Sequence, residues 1–278
     1  MSTDLLPPAV PPAAQRRDAE VMDTQHNHQQ PQPAAAGPAI RCADLQISRG
    51  GSPILNGLDL TVMPGRVHAL LGRNGAGKST TFRIILGLLA ADAGTAEVLG
   101  QPISPRRGRE ILADVGASID GPAVYGHLSA FDNLLIHARL TGTGRQRIEE
   151  VLEIVGLAAT GRKRARSFST GMKARLALGI AILTEPAVLI LDEPQNELDP
   201  QGIVELRELL CGFAAAGRTV LVSSHQLGEI THLADDISVL ADGRCRYSGR
   251  LHDFAPAGRL EQAFLDLTMP RTAGRALP

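Results

Sequence analysis

Residues 67 to 79 read Val67-His68-Ala69-Leu70-Leu71-Gly72-Arg73-Asn74-Gly75-Ala76-Gly77-Lys78-Ser79, and the meaning of the rest of the chain follows from them. Val67 to Leu71 is short and aliphatic, as a buried strand is. The next eight residues match the G-x-x-x-x-G-K-[ST] phosphate loop, and the spacing predicts a helix from Lys78 to about Ala90. Each residue type has a physical reason. Glycines let successive backbone N–H groups converge on phosphate oxygens, and the helix start adds the positive end of its dipole. The Lys78 ammonium reaches the β and γ phosphates, and the Ser79 hydroxyl suits Mg²⁺. With 29 glycines and three lysines in 278 residues, chance assembles the required positions only about 0.003 times over the chain.

Outward from this loop the texture alternates between strand-like and helical stretches from about Ile40 onward, which is the pattern of an α/β fold. Val188-Leu189-Ile190-Leu191 and Thr219-Val220-Leu221-Val222 are nearly all aliphatic and only four residues long. Strands buried on both faces of a parallel sheet read this way. A helix over Pro200 to Ala215 lies between them, with proline suited to its first turn. Ser129 to Thr184 is mostly helical, opened by the capping signal Ser129-Ala130-Phe131-Asp132. The first aliphatic strand delivers Asp192-Glu193-Pro194 at its C-terminal end, where open α/β sheets bind ligands. Two readings are open there: Asp192 on a metal and Glu193 on an attacking water, or acids that merely cap a helix.

Composition closes other possibilities. The chain is 44% hydrophobic with a formal net charge of −1, enough to build a core and without the basic excess of a nucleic-acid binder. Cys42, Cys211 and Cys245 are scattered, with no metal or redox spacing, and suggest reduced thiols. The longest apolar run, Leu176 to Leu183 with one glycine inside it, falls far short of the roughly 20 residues that span a bilayer. The N-terminus lacks the basic start and apolar block of a secretory signal. Residues 1 to 38 are rich in Pro, Ala, Gln and His and read as a disordered tail, and residues 269 to 278 as a short flexible one. His26 and His28 lie in that first tail without further ligands beside them. Lysine is scarce: of 28 Lys+Arg, only Lys78, Lys163 and Lys173 are lysines.

Five segments in order, Gly72 to Ser79, Phe168-Ser169-Thr170-Gly171-Met172-Lys173, Asp192-Glu193-Pro194, Leu198-Asp199-Pro200 and Ser223-Ser224-His225, resemble the nucleotide-binding subunit of ATP-binding-cassette transporters. The resemblance covers about residues 39 to 268. It implies a P-loop NTPase fold with a RecA-like parallel-sheet core, an antiparallel β subdomain and an α-helical subdomain inserted at about 126 to 184. It implies ATP and Mg²⁺, with Gly72, Arg73, Asn74, Gly75, Ala76, Gly77, Lys78, Ser79 and Thr80 on the phosphates. Ser79 and Asp192 are then expected on the metal, Glu193 on the attacking water, and His225 on the γ-phosphate and that water. A lone histidine is otherwise more often structural, but the end of a sheet strand suits a role near neutral pH.

In the family two cassettes stack head to tail, so Ser169, Gly171 and Met172 face the nucleotide of the opposite subunit and Asp199 lies in the segment linking the two sites. One phosphate loop and one signature segment per chain then imply a second cassette, in a homodimer. The resemblance further implies a polytopic membrane permease, a place on the inner face of the cell membrane with no bilayer insertion of its own, and export of an antibiotic, peptide or other hydrophobic compound. Cassettes that act on ribosomes or DNA are tandem or split by a long coiled coil. Here one cassette is present, without a heptad array.

Several positions depart from the pattern. Arg49 stands where an aromatic residue usually stacks on adenine; a guanidinium can also stack on a base. Asp120 stands where a glutamine usually contacts Mg²⁺ and the membrane partner. With Gly121-Pro122-Ala123-Val124-Tyr125 it is similar to the bacitracin-resistance and lantibiotic-immunity exporters. Thr170 replaces the first signature glycine, and Gln195 and Glu197 replace a small hydroxyl residue and a glycine. Arg49, Asp120 and Thr170 also keep open a nucleotide-binding regulator with little hydrolysis, against which Lys78, Asp192, Glu193 and His225 argue. Gly258 to Thr268 is similar to the closing helix of such exporters, or is simply an amphipathic terminal helix.

Overall fold

The computed structural model describes residues 37 to 105, 110 to 196, 198 to 255 and 259 to 269. Of the expected tails over 1 to 38 and 269 to 278, residues 1 to 36 and 270 to 278 lie outside the described residues, as does the departure at Glu197. Two sheets organise the fold. An antiparallel sheet has the order β2-β1-β4-β5, formed by β1 (Ile40–Arg49), β2 (Ser52–Val62), β4 (Ala93–Val98) and β5 (Gln101–Ile103). A six-stranded sheet has the order β10-β9-β3-β8-β7-β6. Its strands are β3 (Val67–Gly72), β6 (Val115–Ser118), β7 (Val188–Asp192), β8 (Thr219–Ser224), β9 (Asp236–Ala241) and β10 (Arg244–Arg250). All neighbours in it are parallel except β9 and β10.

The aliphatic strands divide by the two-residue period of a strand. Leu70, Val188, Ile190, Leu221 and Leu240 face the antiparallel sheet and Phe82, Ile84 and Ile85 of helix α1 (Lys78–Ile85). Ala69, Leu71, Leu189, Leu191, Val220, Val222 and Val239 face the opposite way. That second face is covered by α5 (Pro200–Ala215), α8 (Leu260–Thr268) and the helical insertion. The insertion contains α2 (Ala130–Thr141), α3 (Arg145–Ile154) and α4 (Thr170–Ile182). Cover on both faces explains why β3, β7, β8 and β9 are buried along nearly their whole length, whereas the edge strand β10 alternates buried and exposed positions. Two single-turn helices, α6 (Leu227–Ile230) and α7 (Leu251–Phe254), complete the C-terminal part.

Helix starts follow their capping residues. Ser129 caps α2 by accepting the Asp132 N–H at 3.0 Å, and its own hydroxyl donates to the Asp132 carboxylate at 2.6 Å. Asp199 caps α5, accepting the Gly202 N–H at 2.8 Å. The first helix is shorter than its apolar pattern suggests. It ends at Ile85, and Gly87 follows at φ 65°. Leu88 N–H donates to Arg83 O at 2.8 Å and Gly87 N–H to Ile84 O at 2.9 Å, the paired bonds of a Schellman ending that only a residue tolerant of positive φ permits.

Candidate functional site

The C-terminal ends of β3, β7 and β8 lie side by side on one edge of the parallel sheet, and the polar residues of the site emerge there. At the end of β3, a β-carbon on Gly72 would stand 2.8 Å from Leu240 O, so the backbone passes where no side chain fits. Gly77 takes φ 108° immediately before α1, a conformation open to glycine and little else. The Ala76 N–H closes the turn onto Arg73 O at 3.0 Å. Lys78 then opens α1 only 6% exposed. Its ammonium donates to Gly72 O at 2.7 Å and lies 3.3 Å from Glu193 Oε1. A buried cation folded back onto Gly72 O at a helix N-terminus is an arrangement suited to an anion. Arg73, Asn74 and Gly75 remain exposed at its rim, with Ser79 and Thr80 half-buried in the first helical turn.

The acids come from the neighbouring strand. Parallel register sets Asp192 beside Ser223. The fully buried Ser223 hydroxyl donates to Asp192 Oδ1 at 2.5 Å and accepts the Glu193 N–H at 2.9 Å. Glu193 sits at φ 50°, unusual for a residue with a side chain. That turn carries its carboxylate between Lys78 and His225: Oε1 faces the ammonium at 3.3 Å, and Oε2 lies 2.8 Å from His225 Nδ1. Neither acid caps a helix; the next one, α5, is capped by Asp199.

The structure therefore brings together four of the residues singled out from the sequence: Lys78, Asp192, Glu193 and His225. Asp120 follows β6 and forms a two-pronged pair with Arg83 of α1, at 2.5 and 3.2 Å. That hydrogen bond raises the Arg83 pKa above its ordinary value. Ser169 caps α4 by accepting the Met172 N–H at 3.2 Å, with Gly171 in the same turn. Arg175 of α4 reaches Glu205 of α5 at 3.3 Å and Asp199 at 3.9 Å. Among the described residues, the hydrogen bonds of Ser169 and Asp199 stay at their own helix starts. Arg49 is exposed at the turn between β1 and β2. Beside Asp192 and Glu193 a cavity of about 250 Å³ opens between α4, α5 and the segment after β6.

Comparison with known proteins fits this arrangement. Residues 55 to 196 match the family model for ABC transporters. The chain belongs to the ABC transporter ATP-binding family. The cassette is 40% identical over 205 residues to the lantibiotic transport ATP-binding protein SrtF of Streptococcus pyogenes, covering 74% of this chain and 88% of that one. It is 41% identical over 207 residues to the bacitracin transport ATP-binding protein BcrA of Bacillus licheniformis, covering 74% and 67%. It is also 41% identical over 213 residues to the daunorubicin resistance ATP-binding protein DrrA3 of Streptomyces coeruleorubidus, covering 75% and 67%. A solved ATP-binding subunit of an ABC transporter superposes with a TM-score of 0.76 at 28% identity, covering 83% of this chain and all of that one.

The cassette is thus an ATPase of the transporter class, built to work with a membrane subunit. Among the described residues no helix is long and apolar enough to cross a membrane. Sequence reading overlooked four side chains of the site. Ser223 and Ser224 were visible only as part of a motif, Gln195 only as a departure, and Arg83 not at all. Nothing local in a sequence says which neighbour a serine or glutamine will meet across a sheet.

Proposed function

We propose that this cassette hydrolyses ATP to drive export of an antibiotic, peptide or other hydrophobic compound through a separate membrane permease, from the inner face of the cell membrane. The observation that carries the hydrolytic reading is the Glu193 carboxylate, which spans Lys78 on one oxygen and His225 on the other. Phosphoryl transfer needs positioning and charge stabilisation more than covalent chemistry. In this reading Lys78 and the backbone of Gly72 to Ser79 hold the β and γ phosphates, Thr80 extends that contact, and Arg49 stacks on adenine. Lys78 then leaves Glu193 for the phosphates. The freed carboxylate orients the attacking water and takes its proton, and His225 holds the γ-phosphate and that water.

The residues fit a Mg²⁺ ion at one edge of the loop. Asp192 is held through Oδ1 by a buried serine, and Ser79 stands half-buried in the first turn of α1. Ser79 and Asp192 would hold the ion; among the described residues no group of three or more Asp, Glu, His or Cys is placed to hold a metal without phosphate. The ion supplies neutralisation of phosphate charge. Asp120, paired with Arg83, would join that site on exchanging this partner for the ion.

Two copies are required because each chain carries one phosphate loop and one segment from Ser169 to Met172. Head-to-tail pairing sets Ser169, Gly171 and Met172 against the partner's nucleotide and Asp199 between the two sites. The export reading and its cargo rest on the relatives named for lantibiotic transport, bacitracin transport and daunorubicin resistance. Purified protein is expected to hydrolyse ATP with Mg²⁺, and Glu193→Gln to abolish turnover while trapping an ATP-bound dimer. Wild-type turnover in that variant overturns the assignment of the base. Isolation from membranes with a polytopic protein tests the coupling, and ribosomal co-sedimentation without such a protein refutes it.

A further inference from the structure

Gln195 is buried to 7% exposure yet spends its amide on the site rather than on its own loop. Its Nε2 donates to Ser224 Oγ at 2.5 Å and to Glu193 Oε2 at 3.3 Å. Ser224 is fully buried at the end of β8 and also accepts the Gln226 N–H at 2.9 Å. Gln195 therefore joins the turn bearing Glu193 to the strand end bearing His225.

The two oxygens of Glu193 are treated differently. Oε2 is approached by three nitrogens: His225 Nδ1 at 2.8 Å, the His225 backbone N–H at 3.3 Å and Gln195 Nε2 at 3.3 Å. Oε1 meets only the Lys78 ammonium, at 3.3 Å, among the described residues. An oxygen with about two lone-pair sites is fully engaged by such a set. The amide nitrogen is a donor in every state, whereas the imidazole nitrogen donates only in some tautomers. We infer that Gln195 is a positioning residue that locks the Glu193 carboxylate through Oε2 and leaves Oε1 as the oxygen that meets the attacking water once Lys78 turns to phosphate. The inference rests on Glu193 being the base.

The test is steady-state ATPase kinetics of the full chain with Gln195→Met, which keeps length and apolar volume but cannot donate. Loss of orientation acts on the chemical step and not on nucleotide binding, so kcat is expected to fall about tenfold while KM for ATP stays within about twofold. Gln195→Thr, the shorter hydroxyl, is expected to behave in the same direction, and it decides the matter if Gln195→Met fails to fold. Nucleotide binding and thermal denaturation of each variant establish folding. Unchanged kcat, or a loss confined to KM, overturns the role of Gln195. Glu193→Gln measured in parallel separates the levels: if it turns over like wild type, the base assignment falls, and if it is inactive while Gln195→Met is unimpaired, only the positioning role falls.

Discussion

Replacing Ser223 with alanine removes a single buried oxygen that serves both acids of the site. Its hydroxyl donates to Asp192 Oδ1 at 2.5 Å and accepts the Glu193 N–H at 2.9 Å, with no part of the side chain exposed. Alanine leaves the Glu193 N–H without an acceptor, a cost of about 1–3 kcal/mol, and removes a hydrogen bond to a charged group worth about 1.5–3 kcal/mol. Asp192 is half-buried and can recover part of its loss from water. A net destabilisation of about 3 kcal/mol follows, equivalent to a drop of roughly 6–12 °C in a domain of this size. Function suffers separately. Glu193 occupies a positive-φ turn at 50°, a conformation that costs about 1–3 kcal/mol and persists only when its surroundings hold it. Without the serine the turn relaxes, so turnover falls even at temperatures where Ser223→Ala is folded. Thermal denaturation paired with Mg²⁺-dependent ATPase measurements reads both effects. A melting temperature within about 2 °C of wild type would falsify the assigned role of the hydroxyl.

Two further outcomes follow from the same physical reasoning. Burial pushes the His68 pKa from 6.5 down to about 4, with Asp236 opposing and Arg66 reinforcing the shift, while its Nε2 meets Ser238 Oγ at 2.9 Å. Because the folded value lies below the unfolded one, the neutral ring contributes fully above pH 6.5 and its contribution is lost as pH falls toward 4, up to roughly 3 kcal/mol. Denaturant titrations between pH 7 and 4.5 should show a shallower loss for His68→Gln than for wild type; equal slopes contradict the burial argument. Gly116→Ala is expected to be severely destabilising, because a β-carbon there would stand 2.0 Å from Ala181 O and 2.8 Å from the Pro186 ring. Backbone cannot yield as a flexible side chain can, so a well-folded Gly116→Ala protein with wild-type stability would show that β6 and α4 are not locked together as described.

The phosphate loop was legible because every determinant of it is local: glycines for the turn, a lysine for the charge and a strand before it. The strands at Val188 and Thr219 were legible for a similar reason, since burial on both faces leaves an aliphatic run with no alternation. The sequence pattern overextends helix α1, because Leu88 and Leu89 continue the apolar period past Gly87, which ends it. The site was harder. Asp192-Glu193 could have been an N-cap, and His225 a structural histidine, until the strand order set β7 beside β8 and Glu193 against both His225 and Lys78.

Scarce lysine already singled out Lys78 among cations, and in the fold it is the one that lies buried over the glycine turn. Lys163 instead sits 6.0 Å from the Phe168 ring, a contact its neighbours in sequence did not announce. The phosphate loop, the α/β core and the order of the family's motifs are encoded along the chain directly, in spacing and residue type. What the tertiary structure alone decided was the pairing: Ser223 with Asp192, Gln195 with Ser224, Arg83 with Asp120. Those partners are separated by 29 to 37 positions and meet only through strand register and helix packing, which no local pattern records.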